Sequence, residues 1–466
     1  MDQYSIALTH VCRSWRNTFT SRSSLWTWLN FKNIDKTRTY IQRSQSSPLK
    51  LHLEHGGLID DTFPLVIPHI SRLGSLTIDA KGLPDLFIHF TRHAPLLEKL
   101  DITGYDGLSF TDQLFNRDLS SLWELRLEEV DTRFLWKNMA NLRVFDLTSY
   151  SPSYGTTQIL DFLESAPLLH TVSLRYSIPE KPDAPPQRMV LLRHLKVFHI
   201  SAKLSPSTIL HHLHIPIGAS IISEFPFNSK SEPPFGDHLP GRSPNFGNLS
   251  YITTINLHFG SLSKCIRFHG PSGNLHVHGT LAAPYGSRTY VYDRQLLEPL
   301  VHPVLSAIHR LTISRYERSQ SDPFGGCPIF RILSSTNDLR TLILIDCNNE
   351  PFILALDPEQ NPSNTVLCSA MEALVVYVGR NGCYFDCLTS MAMNRASRGA
   401  KLPSITVVVR YDNDFGEGRL KSHLGKYVTH VEYRIGNINE YPPWDDIPGR
   451  SGGGVELVCK IDSRFN

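Results

Sequence analysis

The chain has 21 histidines and eight cysteines among its 466 residues, the residue types that ligate metals and form nucleophiles, so their spacing is weighed first. Cys383 and Cys387 lie four apart, but no second Cys or His pair completes a zinc set, and they read as ordinary thiols. His276 and His278 share one face of an expected strand, and His211, His212 and His214 cluster. In so histidine-rich a chain such neighbours arise by chance. The run DNDFGEG at 412–418 is similar to a calcium loop, yet with Asp412 at position 1 the sixth position is Glu417 instead of glycine. The twelfth is His423 instead of glutamate, so a polar turn is expected. GPSG at 270–273 is not the G-x-S-x-G of a nucleophile elbow, and no P-loop or G-x-G-x-x-G opens a helix. The acid pairs Asp60–Asp61 and Asp445–Asp446 have no partner motif and read as solvated loop residues. No catalytic residue, metal or cofactor is expected, and the protein is not expected to be an enzyme.

One short stretch has spacing suited to docking. Residues 8–29, LTHVCRSWRNTFTSRSSLWTWL, place Leu8, Val11 and Trp15 at i, i+3 and i+7, one face of a helix. Cys12, Arg13 and Arg16 lie between them. A second short helix is expected to start near Ser23 or Ser24, either a suitable N-cap, and to carry Trp26 and Leu29 on one side. Helices this short and tryptophan-rich leave apolar faces that need a partner, in the chain or outside it.

The spacing L-x-x-V-C-R-x-W-R followed by S-L-W resembles the second half of the F-box in large fungal F-box families. The run R-S-x-S-x-P-L-x-L-x-L within 41–54 is also similar to those proteins. The resemblance implies a non-enzymatic adaptor that docks on the Skp-type subunit of an SCF-type cullin–RING ubiquitin ligase and selects a protein substrate with its remaining domain. It assigns adaptor contact to Leu8, Val11, Cys12, Trp15, Leu25 and Trp26. Trp15 and Trp26 also have an internal alternative, packing on Leu51 and Leu53 as an N-terminal cap. The family's opening helix, of the type L-P-x-E-I/L-L-x-x-I, has no counterpart ahead of Leu8, so the chain is expected to begin inside the motif and to bind the adaptor weakly. The rival reading is an interaction scaffold without ligase coupling.

Composition narrows the partners. A hydrophobic content of 41% with 19% charged residues describes a folded chain. The net charge is +2, with no Lys/Arg block and no basic stripe interleaved with aromatics, so nucleic acid is not an expected partner. No apolar run approaches the ~18 residues of a membrane span, and no basic-then-apolar leader opens the chain. Cysteines at irregular spacing in a long chain suit a reducing compartment, cytoplasm or nucleus.

Beyond residue 50 an apolar-x-x-apolar-x-apolar phrase recurs: LGSLTI (73–78), LEKLDI (97–102), LWELRL (122–127), LRVFDL (142–147), LHTVSL (169–174) and LKVFHI (195–200). It returns as ITTINL (252–257), IHRLTI (308–313), LRTLIL (339–344) and MEALVV (371–376). This is the strand phrase of a leucine-rich repeat, without the Asn or Cys that usually follows it. Stretches 83–100 and 156–172 are expected to be helical up to the repeated A-P-L-L, where proline ends a helix. The rhythm lapses over 203–250, where LHHLHIPIGASIISEF (210–225) looks like a strand pair and 225–248 a long Pro/Gly/Ser-rich loop. SIPEKPDAPPQ (177–187) is a shorter loop. After about 400 the chain is strand-like, and GRSGGG (449–454) links to a last strand, VELVCKI.

The expected fold is therefore α/β: an irregular leucine-rich-repeat-like solenoid over 51–440, with 203–250 an irregular insertion, a partial all-helical F-box over 1–50, and a cap or tail over 441–466. Strand alternation puts the residues between the apolar positions on one open face. In the first half these are Lys99, Asp101, Glu124, Arg126, Asp146, Ser173, Arg175 and His199. Of these, Asp101, Arg126, Asp146, Arg175 and His199 are the candidate substrate contacts. The later slots hold Asn256, Thr312, Ile343 and Val375 and turn apolar, which suits either a hydrophobic anchor pocket or, as expected here, strands covered by the 203–250 and 270–300 insertions.

Overall fold

The computed structural model describes residues 12–53, 59–80, 89–109, 114–117, 119–131, 139–149, 155–175, 188–201, 207–210, 212–216, 218–227, 253–259, 263–269, 274–281, 308–314, 328–345, 349–361, 363–378, 385–409 and 417–435. It is a mixed α/β structure with a large parallel sheet. The described residues fall into two units, one within Met1–His309 and Phe324–Thr336, the other within Arg310–Pro323 and Asn337–Asn466.

In the first unit, alternation of apolar and polar residues runs through the repeat strands. The strands are β1 (Trp28–Asn30), β2 (Leu49–Leu53), β3 (Leu73–Asp79), β4 (Lys99–Ser109), β5 (Glu124–Asp131), β6 (Val144–Thr148) and β7 (Thr171–Arg175). After the two-residue β8 (Val190–Leu191) come β9 (Val197–Ser201), the short β10 (Leu213–His214) and β11 (Ser220–Phe227). β12 (Thr254–Phe259), β13 (Ser263–His269) and β14 (Asn274–Leu281) follow. Strands β1 to β7 pair in parallel in chain order, then β9, β11 and β14 continue the parallel series. Leu51, Leu76, Leu100, Leu125, Phe145, Val172, Phe198 and Ile221 stand opposite one another across neighbouring strands and are all buried. Leu53, Ile78, Ile102, Leu127, Leu147, Leu174 and Ile200 form a second buried row. A period-2 pattern permits only one such register, since a one-residue slip would turn both rows to the other face.

The turns that feed these strands repeat as well. Leu97, Leu122, Leu142, Leu169 and Leu195 are buried, and each donates its N–H to the carbonyl three residues earlier. In A-P-L-L the proline sits at the second position of this turn, where its fixed φ is already suited. Behind the sheet, Phe31, Phe63, Phe90 and Phe115 form a chain of rings at centroid separations of 6.0, 5.1 and 5.5 Å. The first two pairs are edge-to-face and the third is tilted, and such aromatic pairs add about 0.5–1.5 kcal/mol beyond burial.

The helices are α1 (Arg13–Ser21), α2 (Ile34–Ser44), α3 (Ile59–Val66), α4 (Thr156–Ser165), α5 (Ser207–Leu210) and α6 (Pro328–Ser335) in the first unit. The second unit has α7 (Glu350–Leu356), α8 (Phe385–Ser397) and α9 (Glu417–Leu424). Its strands β15 (Arg310–Ser314), β16 (Thr341–Ile345), β17 (Ala373–Val378), β18 (Ser404–Val409) and β19 (His430–Ile435) pair in parallel in chain order.

Several expectations change. Residues 1–50 are not all helical: after a 3-10 turn at Ser23–Trp26 the chain enters β1, which pairs with β2 at Leu29↔Leu51. Leu29 is thus a buried strand residue, and the sheet crosses the expected boundary at 50/51. Of the helix expected over 83–100, the described residues from His89 onward are turns leading into β4. The helix expected at 156–172 forms as α4. The pair expected at 210–225 divides: β10 joins β8 in a separate two-stranded sheet, while β11 lies beside β9 and continues the large one. ITTINL becomes β12, antiparallel to β13, instead of another parallel repeat. Asp61 lies in α3 instead of a loop. The loops at 177–187 and 228–248, DNDF at 412–415, GRSGGG and VELVCKI lie outside the described residues.

Candidate interaction surface

The N-terminal residues divide into two environments. Cys12 caps α1, its Sγ accepting the Trp15 N–H at 3.5 Å. No residue of α1 is buried, and Trp15 is 47% exposed with its ring stacked on Phe19 at 5.6 Å. Trp26 is 1% exposed. Its ring meets Tyr40 edge-on at 5.1 Å, Nε1 donates to the Phe19 carbonyl at 3.0 Å, and the Arg43 guanidinium lies 4.5 Å from the ring centre. Trp26, assigned to adaptor contact, is therefore a core residue: the 3-10 turn rotates it inward onto α2. Its aromatic partner is Tyr40, so the internal alternative of a buried cap holds for Trp26 in kind. Leu25 is half-buried. Leu8 and Val11 lie outside the described residues.

The polar slots of β4 to β9 stand together. Asp101, Arg126, Asp146, Ser173 and His199 occupy successive strands opposite one another, and Glu128, Thr148 and Arg175 form the adjoining row. Because parallel strands lie ~4.8 Å apart, one charged or polar group is presented per step. Lys99 pairs with Glu124 at 2.7 Å, Arg126 with the same carboxylate at 2.9 Å, and Arg175 with Asp146 at 3.0 Å. Arg175 also donates Nε to Ser173 Oγ at 3.2 Å. The Lys99 ammonium lies 4.4 Å from the Trp123 ring centre. Burial holds the Asp101 carboxyl above the usual carboxylate range; Arg126 opposes this, and Glu124, Asp146 and Glu128 reinforce it. The surface is graded: Arg126 is exposed, Asp101, Asp146 and Arg175 are half-buried, and Ser173 and His199 are buried. His199 is thus less accessible than a contact residue should be; it lies between the buried Ser173 and the half-buried Ile222 on the neighbouring strands of the same face.

Of the later slots, Asn256 is half-buried and Thr312 buried. In the second unit, Ile343 packs with Tyr377 and Val408, with Ile345 and Val375 alongside. Ile343 is 8% exposed and Val375 half-buried, and they pack laterally with their strand neighbours; most of the insertions expected to cover them lies outside the described residues.

A buried polar cluster in the second unit was not anticipated. Arg395 of α8, 1% exposed, donates Nη1 to the Leu367 carbonyl at 2.7 Å and Nη2 to the Cys368 carbonyl at 3.1 Å. Cys368 adopts φ 48°, a left-handed conformation costly for a side-chain residue, and Arg395 pins it there. Beside it the buried Asp357 accepts Asn394 Nδ2 on both carboxylate oxygens at 3.0 and 3.2 Å, and Asn361 bridges the Asp357 and Thr365 carbonyls. In sequence, Arg395 reads as an ordinary last-turn helix cation. Nothing local predicts its burial, because its partners lie 27 and 28 residues away.

Cys387 is half-buried, and burial together with Glu350, Asp386 and Asp357 raises its thiol above the ordinary value, the direction of an unreactive group. Cys383, His211 and the His276 and His278 side chains lie outside the described residues. Among the described residues no group of three or more His, Cys, Asp or Glu is placed to hold a metal ion, and no helix is long and apolar enough to cross a membrane.

No protein-family model and no curated protein sequence matches the chain.

Proposed function

We propose that the chain is a substrate-recognition subunit of an SCF-type ubiquitin ligase, in which α1 belongs to an F-box-like segment that contacts a Skp-type adaptor. The strand series is a leucine-rich-repeat-like solenoid, and its charged face receives a protein substrate. One observation carries this reading: a helix with no buried residue and an exposed Trp15 stands ahead of a parallel sheet that presents one charged or polar side chain per strand. A nine-residue helix is marginal in water, and no residue of α1 is buried. A partner that covers Trp15 and Phe19 would stabilise it. On the sheet, Asp101, Arg126 and Arg175 suit a partner of mixed charge, since they fix orientation by hydrogen bonds and ion pairs.

Calorimetry of residues 1–466 against the Skp-type adaptor tests the reading, alongside a fusion carrying an L-P-x-E-I/L-L-x-x-I helix ahead of Met1. Each apolar side chain buried by the added helix contributes about 1.5–3 kcal/mol, so the fusion should bind at least about tenfold more tightly. Trp15→Ala should remove binding in both. Absence of binding by both proteins would leave the scaffold without ligase coupling, a reading favoured by the inward turn of Trp26.

A further inference from the structure

One position ahead of the Lys99–Glu124 row, the residues at the strand entrances form a ladder along one rim of the sheet. The N–H of Glu98 donates to Gly74, Trp123 to Glu98, Arg143 to Trp123, His170 to Arg143, Lys196 to His170 and Ser220 to Lys196, all at 2.7–2.9 Å between nitrogen and carbonyl oxygen. This ladder sets Arg143, His170 and Lys196 on neighbouring strands, ~4.8 Å apart per step. His194 adds its ring 6.3 Å from that of His170, and Arg193 adjoins it in the chain. Arg143, Arg193, His194 and Lys196 are exposed, and His170 is half-buried.

Among the described residues no carboxylate is paired with this group, in contrast to other cations of the same strand series. Lys99, Arg126 and Arg175 each face a carboxylate, and Arg188 is held by Asp161 and Glu164. Among the described residues, no ion pair involves the side chains of Arg143, His170, Arg193, His194 or Lys196. The His170 ring is held below its ordinary value first by burial, then by Lys196, Arg143 and His194, and no acidic group offsets them. Three permanent charges on so small an area repel one another, and a bound anion would relieve that repulsion.

We infer that the rim formed by Arg143, His170 and Lys196, flanked by Arg193 and His194, is a docking surface for an acidic protein segment. Its step of ~4.8 Å approaches the ~5–6 Å between side chains three or four apart on a helix, so a helix with one carboxylate-lined face fits it. A nucleic acid fits less well, because the net charge is only +2 and the strip spans few strands. The inference does not depend on ligase coupling, since it involves neither α1 nor the Asp101–Arg126 face.

The test uses purified residues 1–466 and a labelled twelve-residue helical peptide with glutamate at i, i+4 and i+8, against the same peptide with glutamine there, read by fluorescence anisotropy. The glutamate peptide should bind, the glutamine peptide should not, and affinity should fall as salt rises. The double variant R143Q/K196Q should weaken binding at least tenfold. The charge-matched R38Q/K50Q should leave it within twofold. Melting of R143Q/K196Q should be no lower than that of the parent, since it removes repulsion; a lower melting temperature would overturn the uncompensated-charge argument. Equal binding of the two peptides, equal loss in both double variants, or tighter binding of a single-stranded DNA of matched charge would each overturn the proposal.

Discussion

Trp15 and Trp26 lie eleven positions apart in a stretch whose pattern treats them alike, and their substitutions should separate cleanly. Trp26 is 1% exposed, edge-on to Tyr40, beneath the Arg43 guanidinium and hydrogen-bonded to the Phe19 carbonyl. Truncating a buried aromatic costs about 3–5 kcal/mol, so Trp26→Ala should loosen the whole 12–53 segment. Trp26→Phe retains most of the ring and loses the N–H. The Phe19 carbonyl still accepts the Arg22 N–H at 3.3 Å, so no buried acceptor is orphaned and the cost should be about 1 kcal/mol. Trp15 is 47% exposed and touches chiefly Phe19; its removal should cost under about 1 kcal/mol and act on adaptor binding instead. Hydrogen exchange read segment by segment is the assay. In Trp26→Ala, protection should fall across 12–53 and persist in β5 to β9, since each strand contacts only its neighbours. Equal loss of protection in Trp15→Ala and Trp26→Ala, or loss throughout the sheet in either, would refute this reasoning.

Arg395→Met should destabilise the second unit by about 3 kcal/mol in urea unfolding, because two buried carbonyls lose their donor and the Cys368 conformation loses its restraint. Arg395→Lys should recover only part of this, since an ammonium lacks the two-pronged geometry. Asp101 binds its proton more tightly folded than unfolded, so its contribution falls as pH rises from the ordinary carboxylate value through the raised folded one. Asp101→Asn should accordingly stabilise by about 0.5–1 kcal/mol at pH 7, with the gain vanishing at low pH where both residues are neutral, as followed by thermal melts across pH. A Cβ on Gly425 would meet the Lys421 carbonyl oxygen at 2.5 Å, so Gly425→Ala should lower stability by about 1–3 kcal/mol in the same melts.

The sequence by itself determined the repeat strands and which of their residues face inward. LEKLDI, LWELRL, LRVFDL, LHTVSL and LKVFHI each assign inner and outer faces by alternation, and Asp101, Arg126 and Asp146 fall in line across three strands accordingly. Alternation is a local property, fixed by the pleat, and needs no knowledge of neighbours. It does not say what lies across from a strand. ITTINL carries the same phrase but enters an antiparallel pair, because the hairpin partner at Ser263–His269, not the phrase, sets direction. The helix expected at 83–100 fails in its described part for a related reason. A-P-L-L forms a turn that a later segment ties down, Ser121 Oγ donating to the Pro95 carbonyl at 2.6 Å, and the described residues before it are irregular. Tertiary structure alone also decided which tryptophan is buried and that Arg395 lies in the core. It likewise set which cations are paired, leaving Arg143, His170 and Lys196 side by side on one rim. Burial and charge compensation are sums over everything within a few ångströms, and most of those atoms come from residues twenty or more positions away.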